Sequence, residues 1–106
     1  YLSDHGEELY KDRNIAGHNE DTPTQSMYEV PFILWQSEKY KNYRSINIDL
    51  NRRYMTDDLF HSLADLMGIQ SDRVNYKRSI FSATFKERTR MILDSIDYDT
   101  NFKSME

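Results

Sequence analysis

The sequence predicts an α/β fold with few strands and covering helices, and three stretches carry that expectation. Residues 30–35 are the most apolar window of the chain. Residues 56–67 set Leu59, Phe60, Leu63, Leu66 and Met67 on one helical face. Tyr1-Leu2 reads as the tail of a strand, with Gly6 placed to let the chain turn just beyond it.

Taken in order, Asp4 and His5 fall where that first strand becomes loop. Ligands in open α/β sheets bind outside the carboxyl ends of strands, so a carboxylate and an imidazole there point to a metal or phosphate site. From Glu7 to Asn19 the chain is polar and without a sustained period. It reads as a loop with one helical turn around Glu8-Leu9-Tyr10, and it carries His18 back toward the strand end. Residues 21–26 are turn chemistry, with Thr22 held extended by Pro23 and with Thr24 or Ser26 available to cap a short turn.

The unbroken run of large residues at 30–35 fits an interior strand covered on both faces, lying beside the strand that ends at Asp4, with Pro31 at its start. Residues 36–45 read as a polar surface loop or frayed turn. Residues 46–50 alternate with period 2, as a half-buried strand or extended segment does.

The helix at 56–67 has both ends written into it. Thr56 is an N-cap, Asp57 and Asp58 suit the positive end of the dipole, and Gly68 takes a left-handed C-cap position with Ile69 folding back. Its Leu/Phe/Met stripe is expected to be core, and His61, opposite it, to be surface. Residues 78–82 read as a short strand or a loop, residues 87–96 as a helix or a strand, and the tail from about Tyr98 as frayed.

Composition narrows the function. The 106 residues are one domain's worth, with 38% hydrophobic and 30% charged residues. A formal net charge of −4 argues against nucleic acid as a partner, because such domains present a basic face. The absence of Cys rules out disulfides and thiolate metal sites. No apolar run is long enough to span a bilayer. A chain that opens on Tyr in what reads as mid-strand is expected to be a piece of a longer protein.

Ser3-Asp4-His5-Gly6-Glu7, then Gly17-His18-Asn19-Glu20 with Pro23-Thr24, then Glu29-Val30-Pro31-Phe32-Ile33-Leu34-Trp35, resembles the carboxyl-terminal part of the alkaline-phosphatase/sulfatase superfamily. Within it the pattern is most similar to the phosphoethanolamine transferases that modify lipopolysaccharide, in the branch acting on core sugars. The likeness runs from Tyr1 to about Gly68. It implies a single partial domain over residues 1–106, cut from an alkaline-phosphatase-like sheet sandwich.

The resemblance also implies roles. Asp4 and His5 become Zn²⁺ ligands, a carboxylate to offset charge and a neutral imidazole suited to zinc. Glu7 becomes a group that orients a ligand or the Gly6 turn. His18 becomes the imidazole that donates to a phosphate oxygen or protonates the departing alkoxide.

The nucleophile and the remaining acidic ligands would lie upstream of Tyr1, so the intact parent is expected to be the enzyme and this chain alone to bind zinc weakly or not at all. The parent would take a phosphoethanolamine donor lipid and a lipopolysaccharide acceptor, at the periplasmic face of the bacterial inner membrane. Two other readings stand beside this one, a sulfatase-type ester hydrolase with a different nucleophile and a non-catalytic remnant or binding module. Missing neighbour strands are expected to leave a sheet edge open to self-association.

Overall fold

The computed structural model describes residues 1–102. In chain order it contains β1 (Glu8–Leu9), β2 (Ala16–Gly17), α1 (Gln25–Tyr28), α2 (Glu38–Tyr43), α3 (Leu59–Leu66), β3 (Met91–Ile92), β4 (Ile96–Asp97) and α4 (Tyr98–Phe102), with 3-10 turns at Thr56–Asp58 and Tyr76–Arg78. The strands form two small antiparallel hairpins, β1 with β2 and β3 with β4.

The amino terminus lies beside residues 30–35, as expected, but through an antiparallel bridge of Leu2 to Phe32. The Tyr1 amino group donates to the Ile33 carbonyl at 2.7 Å, and the Ile33 N–H donates to the Tyr1 carbonyl at 2.9 Å. The expectation of an interior strand is corrected here. Phe32 and Leu34 turn inward, whereas Ile33 and Trp35 are 59% and 82% exposed. An apolar run shows that both faces avoid water, but the faces are covered only where neighbouring segments exist. Among the described residues it is Leu2 that bridges this stretch. On the inward side Phe32 packs against Tyr54 and Phe81, with ring centroids 6.0 Å apart in each pair.

Helix α3 stands where the sequence places it, facing the other way. Phe60, Leu63 and Met67 are 58%, 41% and 64% exposed, while Asp58, Ser62 and Asp65 are 3%, 0% and 7% exposed. Burying that polar face is tolerable because each group finds a partner. Asp58 takes a two-pronged contact from Arg88, at 3.0 Å on each oxygen, and an ion pair with Arg78 at 2.7 Å. Asp65 pairs with Arg44 at 2.9 Å and accepts from the Ser79 hydroxyl at 2.6 Å. Ser62 meets the Tyr54 hydroxyl at 2.6 Å and accepts the Ile80 N–H at 3.1 Å.

The cap expectations divide. Thr56 opens a 3-10 turn with no side-chain cap, so it is not the N-cap, and Asp58 is occupied by arginines. Gly68 does take the left-handed position, at φ 70°, and the Ile69 N–H returns to the Ala64 carbonyl at 2.9 Å. His61 is half-buried, its Nδ1 accepting the Asn75 N–H at 3.0 Å, so the surface reading of it is corrected.

Residues 36–45 hold a helix, α2, where a loop or frayed turn was expected. Ser37 caps it by accepting the Tyr40 N–H at 3.1 Å, and the Tyr40 hydroxyl donates to the Leu66 carbonyl, locking α2 to α3. Residues 46–49 alternate in exposure, Leu50 breaks the pattern by lying in solvent, and the segment joins no ladder.

Of the two readings of residues 87–96, the strand is observed. The β3–β4 hairpin pairs Met91 with Asp97 and Ile92 with Ile96, and its turn puts Leu93 and Asp94 at φ 49° and 59°. The frayed-tail expectation fails over residues 98–102. Tyr98 is buried, its hydroxyl donates to Glu29, and Arg90 lies over its ring at 4.8 Å while pairing with Asp99. The rest of that expectation, residues 103–106, lies outside the described residues.

Candidate functional site

Three local devices converge on Asp4, His5 and His18. The first is Gly6. A Cβ at this position would sit 2.0 Å from the Ser26 carbonyl oxygen and 2.8 Å from that of Glu29, and the Gly6 N–H donates to the Met27 carbonyl at 2.9 Å. Glycine is therefore required for close approach to α1 and not for a positive φ, which refines the expectation of a sharp turn.

The second device is the β1–β2 hairpin, which pairs Glu8 with Gly17 and Leu9 with Ala16. It replaces the helical turn expected at residues 8–10, with Tyr10 and Gly17 at φ 61° and 102° supplying the reversals. Pairing Gly17 opposite Glu8 returns the next residue, His18, to the strand end. Glu8 anchors the hairpin from within. It is fully buried, and its Oε1 accepts the Lys11 N–H and, at 3.0 Å, the Asp12 N–H. Burial pushes its carboxyl up, but the hydrogen bonds from the Asp12 and Lys11 backbones help to outweigh that and hold it below the usual glutamate value.

The third device is α1. Met27, 1% exposed, is its core anchor, and the Asn19 N–H meets the Met27 sulfur at 3.4 Å. Ser26 donates to the Asp12 carboxylate at 3.1 Å, tying helix to hairpin.

The site these devices make is open. His5 and His18 face each other with ring centroids 5.1 Å apart, and Tyr28 meets the His18 ring edge-on at 5.8 Å. The His5 Nδ1–H donates to the Gly6 carbonyl at 2.9 Å, which leaves the lone pair of the neutral ring on Nε2. Asp4 accepts the His5 N–H on Oδ1 at 3.0 Å and presents Oδ2 3.9 Å from that Nε2. The Gly6 carbonyl, followed by the Asp4 carboxylate, raises the His5 pKa above its ordinary value against the opposing effect of burial, with a lesser contribution from Glu7. The Gly6 carbonyl orients the His5 ring, while Glu7 is exposed and contributes only to the field.

The donor set fits zinc in part. A carboxylate oxygen and an imidazole lone pair 3.9 Å apart can share one ion with bonds of about 2.0–2.2 Å. Among the described residues no group of three or more His, Cys, Asp or Glu is placed to hold a metal, and a catalytic zinc takes about three protein ligands. Asp4 and His5 thus suit two positions of a larger set.

All the sequence-predicted site residues are brought together. Tyr28 was missed, since an aromatic residue before a strand-like run reads as packing. Glu8 reads from sequence only as part of a helical turn, since a Glu whose carboxylate accepts the amides three and four residues later leaves no sequence signature.

Residues 1–69 match the family model described as Sulfatase. Over 94% of its length the chain is 44% identical to the phosphoethanolamine transferase CptA of Salmonella typhimurium and 42% identical to the phosphoethanolamine transferase EptC of Escherichia coli. It spans 19% of the length of each, about a fifth.

Among solved structures, the C-terminal periplasmic domain of EptC from Escherichia coli superposes with a TM-score of 0.87 at 39% identity, covering 94% of this chain and 31% of that one. The same domain in complex with Zn gives 0.83 at 39% identity, covering 96% and 29%. The mixed helices and small sheets match a domain of this kind, so the expected α/β class, a piece of an alkaline-phosphatase-like fold, is borne out.

Proposed function

The chain belongs to the sulfatase family, and we propose that it is the carboxyl-terminal part of the catalytic domain of a zinc-dependent phosphoethanolamine transferase, with residues 1–106 forming one partial domain. The observation that carries this reading is the convergence of Asp4, His5 and His18, with the two imidazoles 5.1 Å apart, in a chain 44% identical to such a transferase. Similarity to a periplasmic domain supports a periplasmic location, with a parent anchored in the inner membrane. The donor is a phosphoethanolamine-bearing lipid and the acceptor lipopolysaccharide.

Asp4 through Oδ2 and His5 through Nε2 would hold Zn²⁺ together with ligands from elsewhere in the enzyme. The chemistry such an ion would supply is a lowered pKa at a coordinated hydroxyl and a polarised phosphoryl oxygen. Gly6 keeps the His5 ring in the ligating orientation by accepting from Nδ1. His18, exposed beside His5, gives a proton to the oxygen that leaves the transferred group.

The test uses the full-length enzyme that carries this chain. Asp4→Asn or His5→Ala abolishes both zinc loading and transfer, whereas His18→Ala keeps zinc and slows turnover by about 10²–10⁴, the reach of acid–base assistance. Full activity in Asp4→Asn overturns the site assignment. Zinc titration of the 106-residue chain by calorimetry gives weak binding, and tight stoichiometric uptake would count against a divided ligand set. Ile33 and Trp35, exposed beside the open edges of the Leu2–Phe32 bridge, support self-association of the isolated chain, which light scattering checks.

A further inference from the structure

His18 is exposed, and no hydrogen bond to its imidazole is present among the described residues, so ring packing is left to orient it. One side is His5, itself on a loop. The other is Tyr28, the last residue of α1, a helix tied to its surroundings on several sides. Met27 beside it is buried, Gly6 is pressed against the α1 carbonyls with no room for a Cβ, and Ser26 is tied to the hairpin through Asp12.

The loop bearing His5 and the helix bearing Tyr28 are therefore joined as one body through Gly6, and His18 fits between their rings. The Tyr28 hydroxyl is buried without a partner among the described residues. A buried hydroxyl in that state costs stability, and it contributes nothing to the edge-on ring contact.

We propose that Tyr28 is the positioning residue for His18: its ring is the fixed wall that holds the imidazole against His5, and its hydroxyl takes no part. The catalytic consequence rests on the transferase reading, because a misplaced proton donor matters only if His18 serves a transfer reaction. The structural half does not rest on it. A displacement of about 1 Å in a reacting group is enough to cost about 10²-fold in rate, which is the scale expected when the wall is removed.

Two variants separate ring from hydroxyl, Tyr28→Phe and Tyr28→Met, the latter keeping a flexible apolar side chain without a ring. In the 106-residue chain, the nuclear Overhauser contact between the His5 and His18 imidazoles persists in Tyr28→Phe and is lost in Tyr28→Met, while the His61 ring signals stay put as a control on the rest of the fold.

In the full-length enzyme Tyr28→Met lowers kcat by about 10² with KM and zinc content unchanged, and Tyr28→Phe restores kcat to the parental level. If Tyr28→Met does not fold, Tyr28→Phe decides alone. Loss of the imidazole contact or of turnover in Tyr28→Phe overturns the proposal, as does an unchanged contact in Tyr28→Met. If the contacts behave as expected while the unaltered enzyme transfers no phosphoethanolamine, the positioning stands and the transferase reading falls.

Discussion

The segment that carries the site and the segment around α3 are built by opposite means. Around Asp4, His5 and His18 the chain is held by backbone proximity: a glycine pressed on α1, a two-residue hairpin and a buried Glu8 that collects amide hydrogen bonds. The side chains proposed to act there, Asp4, His5 and His18, are exposed. Around α3 the inner surface is ionic, with Asp58 and Asp65 drawing in Arg44, Arg78 and Arg88, while Phe60, Leu63 and Met67 of the apolar stripe face outward.

The difference shows that position and stability are assigned to separate parts of this chain. On this contrast the fold of the site region should be most sensitive to backbone shape at Gly6. The α3 region should be most sensitive to the loss of a buried carboxylate and least sensitive at its exposed apolar residues.

The largest test of that contrast is Asp58→Ala. It strands two guanidiniums whose carboxylate is 4% exposed on its side chain, and it should cost about 3 kcal/mol. That is the low end for a broken buried pair, since both arginine side chains keep more than a third of their exposure. A midpoint in urea unchanged from the parent would mean that the pairs are surface bridges and the contrast is false.

Next comes Gly6→Ala. A methyl 2.0 Å from a carbonyl oxygen forces the His5 loop off α1, at about 2 kcal/mol, and should separate the His5 and His18 rings. Chemical denaturation reads the first effect and imidazole contacts read the second. If both stay at parental values, close approach is not what holds the site.

Phe60→Ala sharpens the other half. At 58% exposure the ring should contribute within about 0.5 kcal/mol, where a core phenylalanine would cost about 3–5. A loss in the core range in this chain would restore the expectation that the stripe faces inward.

The smallest effect is in pH dependence. Glu8 has a folded pKa below its unfolded value, so its contribution to stability is present above about 4.5 and is lost as pH falls through the depressed folded value. Glu8→Gln should remove that acid-side slope. Amide exchange at Lys11 and Asp12, the residues whose N–H groups bond Glu8, is the local readout. A slope that survives the substitution places the titrating group elsewhere.

Sequence alone was enough to propose the site, through the resemblance that Asp4-His5-Gly6 and Gly17-His18 carry, because these are short linear patterns. It also located α3 and its glycine-closed end, because helical period and left-handed glycine are local properties. The direction α3 faces is another matter. Periodicity states which residues share a face, and Phe60, Leu63 and Met67 do share one. Which face turns inward depended on Arg88, 30 residues from Asp58, and on Ser79, 14 residues from Asp65, since only such partners make a buried carboxylate tolerable. The same holds for Val30-Pro31-Phe32-Ile33-Leu34-Trp35, whose composition demands cover but cannot name the neighbour, and for Tyr28. Its place against His18 is decided by how closely Gly6 lets the loop approach α1, a contact across 20 residues that no local pattern contains.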